Sequence, residues 1–105
     1  MIQSDKLAEF CIQPISGDIM EVPGLTENNA ILLTYKGVWS TYNLIGKYLS
    51  FKDPWTSVRE HQDRFLDWLR STGISNDECM VIWLSIAEKT STMIPGLYDP
   101  SVYAE

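Results

Sequence analysis

His61, the only histidine, and two solitary cysteines, Cys11 and Cys79, are the strongest nucleophiles and metal ligands in this chain. Neither cysteine belongs to a CxxC pair or has a histidine at metal-ligand spacing. Both lie among apolar residues, where a buried reduced thiol is expected and a disulfide or reactive thiol is the alternative. His61 falls on the apolar stripe of a helical pattern, the place of a satisfied core or interface histidine. Ser40-Thr41 and Ser91-Thr92 suit helix ends better than nucleophilic roles. No carboxylate pair stands in an acid–base setting, and no phosphate loop of the Walker or dinucleotide type occurs. The expectation is a protein that is not an enzyme and uses no metal and no cofactor.

Aromatic surface is the other chemistry on offer. Four tryptophans in 105 residues imply either an unusually aromatic core or a surface that a partner covers. Burying one such ring is worth roughly 2–3 kcal/mol from apolar area alone. Trp39, Trp55, Trp83, Tyr98 and Tyr103 are therefore the candidate protein-binding anchors. Trp39 leads them, because it sits in the bend Gly37-Val38-Trp39-Ser40 between two predicted helices. A core plug beneath that bend is the equal alternative.

Charge points the same way. Residues 1–35 carry one lysine against five acids, a balance of −4, whereas residues 36–70 carry six cations against four acids, +2. Residues 71–105 return to −4 with Lys89 against five acids. Such a distribution suits docking between unlike surfaces, self-association included, better than it suits a polyanion. A merely solvating acidic surface is the blander reading. No apolar run reaches the roughly 20 residues that span a bilayer. The opening MIQSDKLAEF lacks the basic and apolar regions of a signal peptide. A soluble intracellular protein, cytoplasmic or nuclear and with no membrane partner, is expected.

The elements that position these residues read as five helices and no strand. Ser4 is the expected N-cap of a first helix from Asp5 to about Phe10, and residues 13–20, with Pro14 and Gly17, form a loop. Pro23-Gly24 is a turn, and Thr26 caps a second helix that Lys36-Gly37 closes. Ser40 or Thr41 caps a third, whose inward stripe is Tyr42, Leu44/Ile45, Tyr48 and Leu49. Together these two helices make a helix–hairpin–helix-like element. Asp53-Pro54 opens a fourth helix as N-cap and first residue, with Val58, His61, Phe65, Trp68, Leu69 and Thr72 on one face. Ser75 and Glu78 form a capping box for the last helix, which runs to about Thr92. Its broad sector of Cys79, Met80, Trp83, Leu84, Ile86 and Ala87 is too wide for one neighbour. The fold expected is thus a compact all-α five-helix domain over residues 1–93, followed by a non-helical tail over 94–105. That tail either folds back over its own domain or lies on another subunit.

Lys6 to Pro14 (KLAEFCIQP), Val22 to Leu49, and Phe65 to Gly73 (FLDWLRSTG), in this order, resemble the barrier-to-autointegration factor family. These are small five-helix proteins that dimerise and bridge double-stranded DNA. The resemblance covers most of residues 5–90. It implies a Gly-x-Gly turn whose amides meet a phosphate, and here that turn reads Gly24-Leu25-Thr26. It further implies lysines along the next helix, where this chain has Glu27 and Ala30-Ile31-Leu32-Leu33. Of the family's basic contacts, Lys6 alone has a counterpart. A non-catalytic interaction or scaffold module, homodimeric or part of a larger assembly, is the leading expectation. A divergent DNA-bridging factor using Lys6, Gly24, Leu25 and Thr26 is the alternative. A third reading is a protein that mimics the family and occupies its partner's dimer surface.

Overall fold

The computed structural model describes residues 4–103, and the side chains of Ser4 and Tyr103 lie outside the described set. The expected Ser4 cap and Tyr103 anchor rest on those two side chains. Five α-helices make up the fold: α1 (Ser4–Ile12), α2 (Glu27–Thr34), α3 (Thr41–Ser50), α4 (Val58–Ser71) and α5 (Asn76–Ser91). Two 3-10 turns accompany them, Ile19–Glu21 and Pro100–Tyr103. There is no strand among the described residues, only a lone antiparallel bridge between Asp18 and Ser40.

Helix starts follow their caps. Thr26 accepts the Asn29 N–H and Ser40 accepts the Asn43 N–H, each satisfying one of the amide donors that a first turn leaves open. The fourth helix departs from expectation. It starts at Val58, not Asp53, because Ser57 and Glu60 form a complete capping box, each side chain bonded to the other's backbone. Two satisfied donors outweigh the single cap that Asp53 would supply. Residues 53–56 instead close a turn, the Thr56 N–H donating to the Asp53 carbonyl at 3.0 Å. At α5 only half of the predicted box forms. Ser75 accepts from the Glu78 N–H, while its hydroxyl donates to the Glu78 carboxylate at 2.7 Å.

α5 is the central helix, with α1 and α4 packed along it and α3 touching it. Cys79, Ile82, Trp83, Ser85, Ile86, Ala87, Lys89 and Thr90 are all buried. Lys89 is only 6% exposed. Its ammonium donates to the carbonyls of Cys11 (3.1 Å) and Gln13 (2.6 Å) at the end of α1, where a cation complements the helix dipole. Met80, placed on the apolar sector by sequence, is exposed. In the third helix Leu44, Ile45 and Tyr48 are buried as expected and Leu49 is half-buried, but Tyr42 departs. Thr41 is fully buried and Tyr42 is 58% exposed. The Thr41 hydroxyl reaches the Glu21 carboxylate at 2.6 Å and its N–H reaches the Gly17 carbonyl. Each helical residue turns about 100° from the last, so drawing Thr41 inward carries Tyr42 out.

The tail folds back over its own domain. Leu97 is buried, Tyr98 meets Trp83 edge-on at 5.8 Å, and Arg59 donates to the Val102 carbonyl at 2.7 Å. Among its described residues it contains no α-helix, though Pro100–Tyr103 turns in 3-10 fashion.

His61 lies in the core, stacked on Tyr48 at 4.1 Å with its Nε2 2.7 Å from the Tyr48 carbonyl. That acceptor requires the proton on Nε2. Burial lowers the imidazole's pKa below 6.5; the Tyr48 hydrogen bond opposes this, and Lys52 and Arg64 reinforce it. A depressed histidine favours the fold fully above the unfolded value, and that contribution is lost as pH falls below it. Stability should therefore decline below about pH 6.5, with a slope of at most about 1.4 kcal/mol per pH unit. Urea unfolding from pH 7.5 to 5.5 checks this. His61→Phe should flatten the slope, at a constant cost of about 0.5–1.5 kcal/mol for the lost hydrogen bond to the Tyr48 carbonyl, which keeps the Phe51 N–H at 3.3 Å.

Candidate interaction surfaces

A groove of about 350 Å³ opens between α1 and the segment running from Met20 to Leu25. On the helix side it is lined by Lys6, Glu9, Phe10 and Gln13, which share one face at i, i+3, i+4 and i+7. The opposite wall is irregular backbone, and its shape depends on two devices. One is the Glu21 carboxylate, which accepts from the N–H groups of Ser16 and Gly17, both at 3.0 Å, and from the Thr41 hydroxyl. Burial pushes the Glu21 carboxyl pKa up, but these hydrogen bonds prevail and hold it below its ordinary value. The charged form that ties residues 16–21 to α3 is thereby favoured.

The second device is the turn Val22-Pro23-Gly24-Leu25, closed by the Leu25 N–H on the Val22 carbonyl at 3.1 Å. Gly24 has φ +91°, and a β-carbon there would lie 2.9 Å from the Val81 Cγ1 of α5. Proline followed by a left-handed glycine is the pattern of a type II turn. Gly24 is thus required by backbone conformation and by close packing on α5.

Of the four residues in the DNA alternative, Lys6, Gly24 and Leu25 line this groove. Thr26 lies just beyond, its hydroxyl engaged as the α2 cap. The groove therefore gathers residues from two distant parts of the sequence. Glu9, Phe10, Gln13 and Met20 escaped the sequence reading. The spacing of the first three from Lys6 was the signal available for them.

The aromatic anchors divide. Trp39 is 69% and Trp55 80% exposed, but Trp83 is only 6% exposed and packs against Tyr98. Trp83 is therefore a core residue and not an accessible anchor, while Tyr98 is half-buried against it. Nor is Trp39 a core plug. Val38 takes that position, buried, with its N–H on the Leu33 carbonyl. The Trp39 N–H is fixed by the Asn43 side chain at 3.0 Å, which leaves the indole outside. Tyr35 and Tyr42, not singled out in the sequence as anchors, are exposed at either end of the α2–α3 connection.

Trp55 occupies the tip of a rigid loop. The Asp53 N–H donates to the Thr56 hydroxyl, and Lys52 donates to the carbonyls of Asp53 and Thr56. Arg64 donates to the Phe51 carbonyl and the Thr56 hydroxyl and pairs with Asp53 at 3.5 Å. Thr56 is buried while its neighbour Trp55 stands in water.

No cluster of three or more histidine, cysteine or acidic side chains able to hold a metal occurs among the described residues. Among those residues, no helix is long and apolar enough to cross a membrane. Burial raises the thiol pKa of both Cys11 and Cys79 above its ordinary value, which keeps them protonated and poorly nucleophilic.

Gly24→Ala should destabilise the domain by about 1–3 kcal/mol, from left-handed backbone strain and the Val81 contact together. Val81→Ala removes the 2.9 Å contact but leaves the Val81 Cβ and the Ile82 Cγ1, both at 3.1 Å, so in that background Gly24→Ala should cost less but still destabilise. Urea midpoints of the parent, the two single variants and the double variant check this. No family model, no curated protein and no solved structure matches this chain.

Proposed function

We propose that this five-helix domain is a non-catalytic protein-interaction or scaffold module, working as a homodimer or as a small subunit of a larger assembly. The observation that carries the reading is the exposure of Trp39 and Trp55, 69% and 80%, on backbone that hydrogen bonds hold in place. Tryptophan is enriched at the energetic centres of interfaces, which makes these two exposed rings the candidate anchors. The resemblance to the barrier-to-autointegration factor family, whose members dimerise, supports the homodimeric form of this role.

One observation favours the DNA-bridging alternative: Lys6, Gly24 and Leu25 share a groove beside the start of α2. Charge weighs against it. Glu9 and Glu21 line the same groove and Glu27 stands in the first turn of α2, where it occupies the field that a phosphate would use. Phosphate contacts supply most of the affinity in sequence-independent DNA binding.

Two measurements test the proposal. Titration with random-sequence duplex at near-physiological salt should show no binding at micromolar protein. Tight, salt-sensitive binding would overturn the reading in favour of DNA bridging. Trp39→Ala and Trp55→Ala should each leave the unfolding free energy within about 0.5 kcal/mol of the parent. A large loss in both would mean that the rings serve the fold and not a partner.

A further inference from the structure

An aliphatic residue followed by Pro-Gly-Leu occurs twice, at Val22-Pro23-Gly24-Leu25 and at Ile94-Pro95-Gly96-Leu97, and both copies form the same turn. In the second, the Leu97 N–H donates to the Ile94 carbonyl at 3.2 Å and Gly96 has φ +85°, again the pattern of a type II turn. Their surroundings differ. A β-carbon at Gly24 would press on Val81, whereas one at Gly96 would meet nothing within 4 Å. The first turn is locked by packing, and the second depends on the tail that follows it. There Leu97 is buried, the Tyr98 ring meets Trp83 edge-on, and the Val102 carbonyl accepts from Arg59. The Val102 N–H bonds the Asp99 carbonyl and the Ser101 N–H bonds the Asp99 carboxylate, so residues 99–102 can move as a unit. Met93 and Ile94, just before the turn, are exposed and do not oppose its extension.

We propose that the Ile94–Leu97 turn is a hinge through which two copies exchange tails, each seating its Leu97 and Tyr98 on the other's domain beside Trp83. This rests on the homodimeric form of the protein-interaction reading and names the surface that joins the two copies. Exchange needs no new complementarity, because each contact of the tail within one molecule is made again across the pair. The contact is reciprocal and closes at two copies. What changes is the hinge, which in its extended form no longer imposes a positive φ on Gly96. A short tether presents the tail to its own seat at a millimolar effective concentration. The parent is therefore monomeric at tens of micromolar and exchanges as its concentration approaches about one millimolar.

Sedimentation equilibrium of the full chain over that range tests it. Gly96→Ala strains the closed turn in both molecules without a clash, and should tighten dimerisation about 30-fold. Gly96→Asn, which tolerates the left-handed region better, should give a smaller gain, and replaces Gly96→Ala if thermal melts show that variant unfolded. Adding Tyr98→Ala should not tighten dimerisation further, because the contact it removes is the same in closed and exchanged forms. Association that grows instead would mean that copies join through the uncovered face, and overturns the exchange. In a dimer mixed from isotope-labelled and unlabelled chains, a nuclear Overhauser effect should connect Trp83 of one copy with Tyr98 of the other. Hinge variants that stay monomeric to about one millimolar, or a dimer without that effect, overturn the proposal equally. The DNA titration above judges the broader reading separately.

Discussion

Burial of α5 on nearly every side is the constraint from which the rest of this structure follows. Its eight buried positions leave only a narrow strip of helix for solvent, so the other elements must be arranged around it. Small residues make close approach feasible. Ser85 and Thr90 return their hydroxyls to the carbonyls of Val81 and Ile86 within the helix, which satisfies them without a partner. Lys89 extends the same logic. Its buried ammonium is tolerable only because the end of α1 supplies two carbonyls, with the Phe10 ring 5.7 Å away adding cation–π stabilisation. That single side chain fixes where α1 ends, and thereby one wall of the groove.

The other wall is tied to α5 and to α3 by different forces. Gly24 sits against Val81 and Ile82, a van der Waals limit on how far the turn can move. Glu21 binds the preceding loop to Thr41 by directional hydrogen bonds. Since Thr41 follows the cap residue Ser40 and Ser40 follows Trp39, groove wall and exposed indole are connected through a few bonded residues. A displacement of the 16–21 segment would strain the Asp18–Ser40 bridge at the base of Trp39. The two surfaces are parts of one rigid arrangement.

Much of this was legible in the sequence because helix caps are local. Thr26, Ser40 and Ser75 marked true starts, and the five-helix order followed. What was not legible depended on partners far along the chain. Asp53-Pro54 looked like a helix start until compared with Ser57 and Glu60, whose reciprocal bonds satisfy one more donor. Apolarity places Tyr42 with Leu44, Ile45, Tyr48 and Leu49 on the inward stripe of α3, but Glu21, 20 positions away, draws Thr41 inside and Tyr42 alone falls outside. Trp83 reads as an anchor in the sequence because nothing local shows that the Tyr98 ring, 15 residues on, packs against it. The width of the α5 sector implied a central helix or one shared with a partner, and the packing of α1, α4 and α3 on it makes it central. The groove was half visible: Lys6, Gly24 and Leu25 were named for a phosphate, and the acidic residues that share their cavity were not associated with them.

Apolarity alone does not separate the inward tryptophans from the outward ones. Trp83 is held in by an aromatic neighbour at 5.8 Å, and half-buried Trp68 stacks near Phe65 at 6.0 Å with the Lys47 ammonium 5.3 Å from its ring. Trp39 and Trp55 are held out by polar contacts of the backbone beside them: Asn43 on the Trp39 amide, and Lys52 and Arg64 around the 53–56 turn. A mobile loop could fold an indole back against the nearest apolar surface and recover part of its burial energy. These two loops do not have that freedom. Their hydrogen bonds fix the backbone in a shape that keeps the rings in water, a cost that the isolated domain recovers nowhere within its described residues. Exposure enforced in this way is the physical ground on which the proposed interaction role rests.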